Sequence, residues 1–200
     1  MPVQKDATED VSLQAMLQAY CKQNLYLLNR IDRPVSGLVV LTKSPSAHAA
    51  LVQQQEQGMF RKLYLAVVET KEIEPHGFLQ DRLEKDGKFK KSRISEGAAA
   101  KSCSLSYDLL IRLERYLVLQ VEISSGRFHQ IRAQLAHAGM PVRADVKYGA
   151  RRGNADRSIG LHAWKYHFQH PSTGEKLQFT APIPTHDLWP IVQQKLNEHV

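Results

Sequence analysis

The sequence predicts an α+β fold, a mixed and largely antiparallel sheet with flanking helices. Three observations lead there. Strand-like segments follow one another closely enough to pair locally. A few helices interrupt them without the regular strand–helix alternation of a doubly wound sheet. The 200 residues suffice for one substantial core and not for two large independent ones. A single domain over residues 1–200 is expected, with no internal repeat and no low-complexity tract.

Each element follows from local pattern. Residues 11–24 place Leu13, Met16, Leu17 and Tyr20 on one helical face, with Asn24 as the stop. LYLLNRID (25–32) reads as a strand, RPVSG (33–37) as a turn and LVVLTK (38–43) as a second strand. Pro34 pushes Arg33 to an extended conformation, and Gly37 permits a tight turn. A helix over SPSAHAALVQQQEQG takes Ser44 or Ser46 as its cap and Gly58 as its stop. KLYLAVVE (62–69) reads as a buried strand. Residues 81–101 are polar and Gly-containing, and read as a hairpin or mobile loop, an insertion rather than a domain boundary. SCSLSYDLL and YLVLQVEIS look like paired strands joined through IRLER. HQIRAQLAHAG (129–139) is helical, with Ile131, Leu135 and Ala138 at i, i+4 and i+7 and Gly139 as its stop. LHAWKYHF (161–168) and KLQFTA (176–181) are strands around the turn HPSTGE. DLWPIVQQKLNEH closes the chain as an amphipathic helix with Trp189 and Pro190 in its first turn.

Composition narrows the class. Hydrophobic residues make up 42% and charged residues 24%, ordinary for a soluble globular protein. No run of about 18 apolar residues exists, so no membrane span or membrane partner is expected. The first ten residues lack the apolar stretch of a secretory signal. Cys21 and Cys103 fit neither a disulfide framework nor a metal-ligand pattern, which points to a reducing, cytoplasmic setting. The net charge of +7 and pI near 9.4 fit a polyanionic partner. They fit a merely basic enzyme equally well.

Two constellations carry chemistry. In NRIDRPVSG an Asp sits between Arg30 and Arg33 at a strand end, before a constrained turn. Nearby positive charge would keep Asp32 ionised, fit to act as nucleophile or base. A structural Asp that caps the turn is the commoner meaning of such residues. The segment GRFHQIRAQLAHAGMPVRADVKYGA (126–150) is rich in Arg and His, and by itself such a run is usually a solvated helix face. His162, His167 and His170 raise the question of a metal. Strand alternation places His162 and His167 on opposite faces and no Cys or carboxylate completes a set, so no metal is expected.

NRIDRPVSGLVVLTKSPSAHAAL resembles the His-Arg-Leu-Asp motif of the RluA-like pseudouridine synthases. KLYLAVVE resembles that family's Lys-x-Tyr strand, and residues 126–150 resemble its Gly-Arg-Thr-His-Gln-Ile-Arg segment continued through His-x-Gly-x-Pro to Asp-x-x-Tyr-Gly. LHAWKYHFQHPSTGEKLQFTAPIP (161–184) matches its closing segment. The likeness runs from about residue 10 to 185, with its motifs in the family's order. It implies the pseudouridine synthase fold with a central active-site cleft. It further implies an isomerase that converts a uridine of rRNA or tRNA to pseudouridine without metal or nucleotide cofactor, acting as a monomer. On that likeness Asp32 is the catalytic carboxylate, Arg132 its ion-pair partner and Tyr64 the ring beside the target base. Arg30 helps displace that base from its stack, while Arg127 and His129 support the cleft or contact RNA. Arg33, Lys62, Lys147 and Arg151 complete the expected RNA-binding set. Two segments carry a net +3 suited to phosphates, 81–93 and 147–157.

The sequence departs from the motifs at Asn29 (usually His), Ile31 (Leu), Phe128 (a small hydroxyl residue) and Ala144 (Gly). It starts just after the family's usual Lys-Pro-x-Gly strand, and has no room for an N-terminal S4-type RNA-binding domain. Three readings therefore compete: the isomerase, a catalytically weak RNA-binding protein that keeps the fold, and a carboxylate-dependent glycosidase or nucleosidase. The last would need a second placed acid that the motifs do not supply.

Overall fold

The computed structural model of the chain describes residues 1–69 and 72–198. Helix α1 spans Leu13–Cys21, with the Ser12 hydroxyl accepting from the Ala15 N–H as its cap. The short strands β1 (Tyr26–Leu27), β2 (Ser36–Gly37) and β3 (Leu41–Thr42) follow, then α2 (Pro45–Glu56), capped by Ser44. The main sheet is built from β4 (Arg61–Glu69), β5 (His76–Asp86), β6 (Lys91–Ile94), β7 (Lys101–Arg112) and β8 (Tyr116–Ile123), together with β9 (Leu161–Gln169) and β10 (Lys176–Thr180). Helix α3 (Gln130–His137) lies between β8 and β9, and α4 (Trp189–Glu198) ends the described chain.

The strand order is β10-β9-β4-β8-β7-β5-β6, antiparallel throughout, and β2 joins it as a parallel partner of β9. Strand β4 is central and buried on both faces. Tyr64, Ala66 and Val68 pack with Leu117, Leu119, Val121, Ile131 and Leu135, so one face lies under α3. Leu65 and Val67 pack on the other face with Val118, Trp189 and Val192 of α4. The period-2 alternation of a strand thus divides a continuous apolar run between two cores. This is the predicted class, with helices on a sheet that is antiparallel except at β2.

Three local expectations are corrected. Of residues 25–32 only Tyr26 and Leu27 form a strand, paired to Thr42 and Leu41. Beyond them the Leu28 N–H still reaches the Val40 carbonyl, but the Asn29 side chain replaces the backbone as acceptor for the Val40 N–H at 2.9 Å. The ladder ends there and frees the chain to turn toward Asp32. The expected turn at Ser36–Gly37 is instead strand β2. Gly37 has φ +114°, and a Cβ on it would stand 2.2 Å from the Ala163 carbonyl oxygen, so only glycine lets the backbone lie this close to β9. Residues 81–101 do contain a hairpin, β5–β6, but they are no insertion, because β5 pairs with β7 over eight residues of the main sheet. Its apolar signal is weak since it lies next to the sheet edge, where one side chain in two meets solvent.

Candidate active site

Asp32 sits in the loop between β1 and β2. Its carbonyl accepts from the Val35 N–H, and Pro34 is tied to Ile159 by a further backbone hydrogen bond. With Gly37 pressed on β9, these contacts fix the loop against the sheet end where α3 begins. Arg132 lies in the first turn of α3. Its Nη1 donates to Asp32 Oδ2 at 2.9 Å, while Nε and Nη2 donate to the two oxygens of Asp145 at 2.6 and 2.9 Å. The planar guanidinium is held by this fork and lies over the Tyr148 ring, 5.0 Å from its centroid. The side chains of Arg132 and Asp145 are 5% and 2% exposed, whereas Asp32 is 20% exposed. Asp145 is therefore the anchor, and Asp32 the carboxylate that faces the cleft.

Burial pushes the Asp32 carboxyl above its ordinary range, against the pull of Arg132 and Arg30 in the opposite direction. The expectation that Arg30 and Arg33 keep Asp32 ionised took no account of burial, which neighbouring residue types do not reveal. Burial also opposes the charge on Arg132, but its bonds to Asp145 and Asp32 outweigh this and raise its pKa.

His129 adopts the left-handed conformation (φ 53°) ahead of α3 and is buried. Its Nε2 stands 3.6 Å from Asp32 Oδ2, and its Nδ1 is 2.9 Å from the Tyr148 hydroxyl. Burial, then Arg132, Lys147, Arg30 and Lys85, push its pKa down to about 3, so it is neutral. The Tyr148 oxygen accepts from the Ser92 N–H at 2.7 Å, and its own proton has the Ser92 carbonyl at 3.1 Å and His129 Nδ1 at 2.9 Å within reach. When that proton goes to Nδ1, the Nε2–H faces the Asp32 carboxylate.

Tyr64, on β4, is buried beside the same loop. Burial pushes its phenol up to about 12, and its oxygen is 3.4 Å from that of Tyr166, which accepts from Asn29 and donates to Leu38. Asn29 thus serves the backbone and Tyr166, and through Tyr166 it backs Tyr64, an architectural post.

Two connected cavities meet at Asp32. A wide mouth of about 670 Å³ is lined by Arg30, Arg33, Lys90, Phe128, His129, Lys147 and Arg157, among others. Behind it, a narrow slot of about 60 Å³ is lined by Tyr64, Val35, Ile123, Arg127 and Leu161. Asp32, Arg30, His129 and Arg132 border both.

The structure brings Asp32, Tyr64, Arg132, Arg30, Arg127, His129 and Lys147 to this cleft. Arg33 lines it too, but its guanidinium is bound by Asp6, Asp10 and the Thr8 hydroxyl of the N-terminal segment, so it is no free cation. Lys62 is buried, and burial lowers its pKa. It lies under the Gly126 turn rather than on the surface. Arg151 is exposed and outside the cavity lining. Sequence reasoning gave no role to Asp145 and Tyr148. Both stood in the Asp-x-x-Tyr-Gly motif, but nothing in their spacing shows that they hold Arg132 and His129. Among the described residues no three His, Cys, Asp or Glu side chains stand together as a metal site.

Residues 1–137 match the model of the family described as RNA pseudouridylate synthase. The chain belongs to the RNA pseudouridine synthase family. A Chloroflexus aurantiacus member, named as an uncharacterized RNA pseudouridine synthase, is 34% identical over 171 residues, covering 84% of this chain and 52% of that protein. The tRNA pseudouridine synthase C of Salmonella typhi is 30% identical over 196 residues, 89% of this chain and 75% of that protein. The chain thus spans about half the length of the first of these family members. Among solved structures, human RNA pseudouridylate synthase domain containing 4 superimposes with a TM-score of 0.74 at 16% identity. That alignment covers 98% of this chain and 86% of the human one, and it shows the shared fold.

Proposed function

We propose that the chain isomerises a uridine of RNA, ribosomal or transfer, to pseudouridine, with Asp32 as the catalytic carboxylate. The observation that carries this reading is the Arg132 fork, which rests on buried Asp145 and presents Nη1 to Asp32, the more exposed of its two carboxylates. A preorganised donor of this kind orients the acid without reorganisation during reaction.

The target nucleotide leaves its stack at a cost of a few kcal/mol, and Arg30 at the mouth takes its place. The sugar reaches Asp32 while the pyrimidine enters the slot against Tyr64, which widens to admit a whole ring. Asp32 either attacks C1′ or removes the C2′ proton to give a glycal. In both routes the C1′–N1 bond breaks, the ring turns, C1′–C5 forms, the C5 proton leaves and N1 gains one; in the glycal route Asp32 also returns the proton to C2′ as C1′–C5 closes. Tyr64, with its phenol pushed up to about 12, supports the ring and is a poor base at neutral pH. Asp32, freed when C1′–C5 closes, is the nearest base for the C5 proton.

The test is tritium release from RNA transcribed with C5-tritiated uridine. Release with pseudouridine in the digested product supports the isomerase. Binding without release identifies an RNA-binding protein instead, and liberated free uracil a nucleosidase.

A further inference from the structure

Phe128 stands where related motifs carry a small hydroxyl residue, and nothing in the cleft chemistry above uses it. It belongs to none of the hydrophobic cores and is half-buried at the mouth. An aromatic ring left out of the core and set among charges calls for another explanation.

The ring is backed by His129, with centroids 3.8 Å apart and planes 23° from parallel. His129 is itself pinned by Tyr148, and the Phe128 carbonyl accepts from the Ser92 hydroxyl of β6. The backing is rigid and uncharged. Two long cations also reach the ring, Lys85 Nζ at 5.1 Å and Arg30 Cζ at 5.9 Å from its centroid. Contacts of this kind at exposed sites are weak, and bound RNA draws both cations away without unfolding anything, Lys85 to a phosphate and Arg30 to the place the target leaves. What remains is a flat apolar face, supported from behind and flanked by phosphate-seeking side chains. That is the composition of a nucleobase-stacking site.

Its position says which base. The His129 ring touches both, stacked on Phe128 and with Nε2 3.6 Å from Asp32 Oδ2, so a base on the other face of Phe128 is set off by that ring from the nucleotide reacting at Asp32. The slot beside Tyr64 belongs to the target. We propose that Phe128 is a stacking platform for the nucleobase adjacent to the target uridine, with Lys85 taking a phosphate of that step while Arg30 fills the place the target leaves. This rests on the isomerase reading and adds a determinant of substrate choice. Stacking tolerates any base, and a purine overlaps more of the ring than a pyrimidine does.

The experiment uses the full chain, its Phe128→Leu variant, which keeps apolar volume without a flat face, and Phe128→Trp, which keeps a ring. The probes are fluorescein-labelled single-stranded oligoribonucleotides of roughly nine nucleotides. Each has a central uridine flanked on one side by adenosine or by an abasic ribose, and affinity is read by anisotropy at low salt. The parent is expected to bind the adenosine form about 10-fold more tightly than the abasic form on one side of the uridine. Phe128→Leu loses that ratio and Phe128→Trp keeps it. A ring with only a structural role would instead weaken both probes equally in Phe128→Leu. That result overturns the proposal, as does a ratio of one in the parent or failure of the parent to bind any of the probes. Tritium release by the parent is measured in parallel. A Phe128-dependent ratio without release removes the isomerase reading and leaves the platform; release without the ratio removes the platform alone.

Discussion

Replacing Arg132 by alanine tests the scaffold of the site. The substitution deletes three charge-assisted hydrogen bonds, at 2.6, 2.9 and 2.9 Å, and leaves two carboxylates without their cation. Asp32 is one-fifth exposed and regains some solvation; Asp145, 2% exposed, regains little. Breaking a buried pair by removing one partner costs about 3–5 kcal/mol, and Asp145 alone places this variant near 4 kcal/mol. That is a large part of the roughly 5–15 kcal/mol by which domains are stable. Urea unfolding at pH 7.5 measures it. The deficit shrinks on acidification, because Asp32, already pushed up by burial and now without the pull of Arg132, binds its proton in the folded state and ceases to be a buried charge. His129 works in the same sense, since it loses a cation that holds its pKa down. A loss below about 1 kcal/mol at pH 7.5, or a deficit that grows toward pH 4.5, refutes the reasoning.

Gly37→Ala forces a Cβ to 2.2 Å from the Ala163 oxygen at φ +114°, so it should cost more than about 2 kcal/mol and disorder the Asp32 loop, measured by urea unfolding and activity together. Tyr148→Phe should remove about 1–2 kcal/mol and lower kcat more than RNA affinity, because it releases His129 while leaving the phosphate contacts in place. The buried His129 and His162 are held down to about 3 and about 4. Below the ordinary value of about 6.5 the unfolded chain binds their protons and the folded chain does not. Stability therefore falls with pH by about 1.4 kcal/mol per unit for each, until each folded value is reached. The upward shift of Asp32 acts oppositely and softens the acid end of that fall. Urea titrations from pH 7 to 5 check the slope, and stability that is flat there contradicts the assignment.

The sequence made the site more legible than the loops. Asp32, Arg132 and Tyr64 lie far apart in the chain, yet each sits in a motif whose order is as readable as its residues. What links them is less readable. Asp145 looks like any acid in a loop until Arg132 is seen to bond both its oxygens. Arg33 reads as a cation for RNA because composition does not show Asp6 and Asp10 folding back on it. Lys62 reads as a cation for RNA, although the apolar strand it opens carries it into the interior. The fold was legible where the apolar period was strong, as in β4 and β8. It blurred where side chains replaced backbone pairing, at Asn29, and where edge strands carry polar residues, at β5. The preference for a strand over residues 25–32 was real, but a side-chain amide ended it early.

Single-turnover conversion of a C5-tritiated RNA by Asp32→Asn, measured beside that variant's RNA affinity, reaches the central claim most directly. Asparagine keeps the shape and can neither attack C1′ nor take its neighbour's proton. The account predicts binding within a few-fold of the parent, an intact fold and no tritium release. Release at the parental rate would show that the carboxylate at position 32 does not carry the chemistry.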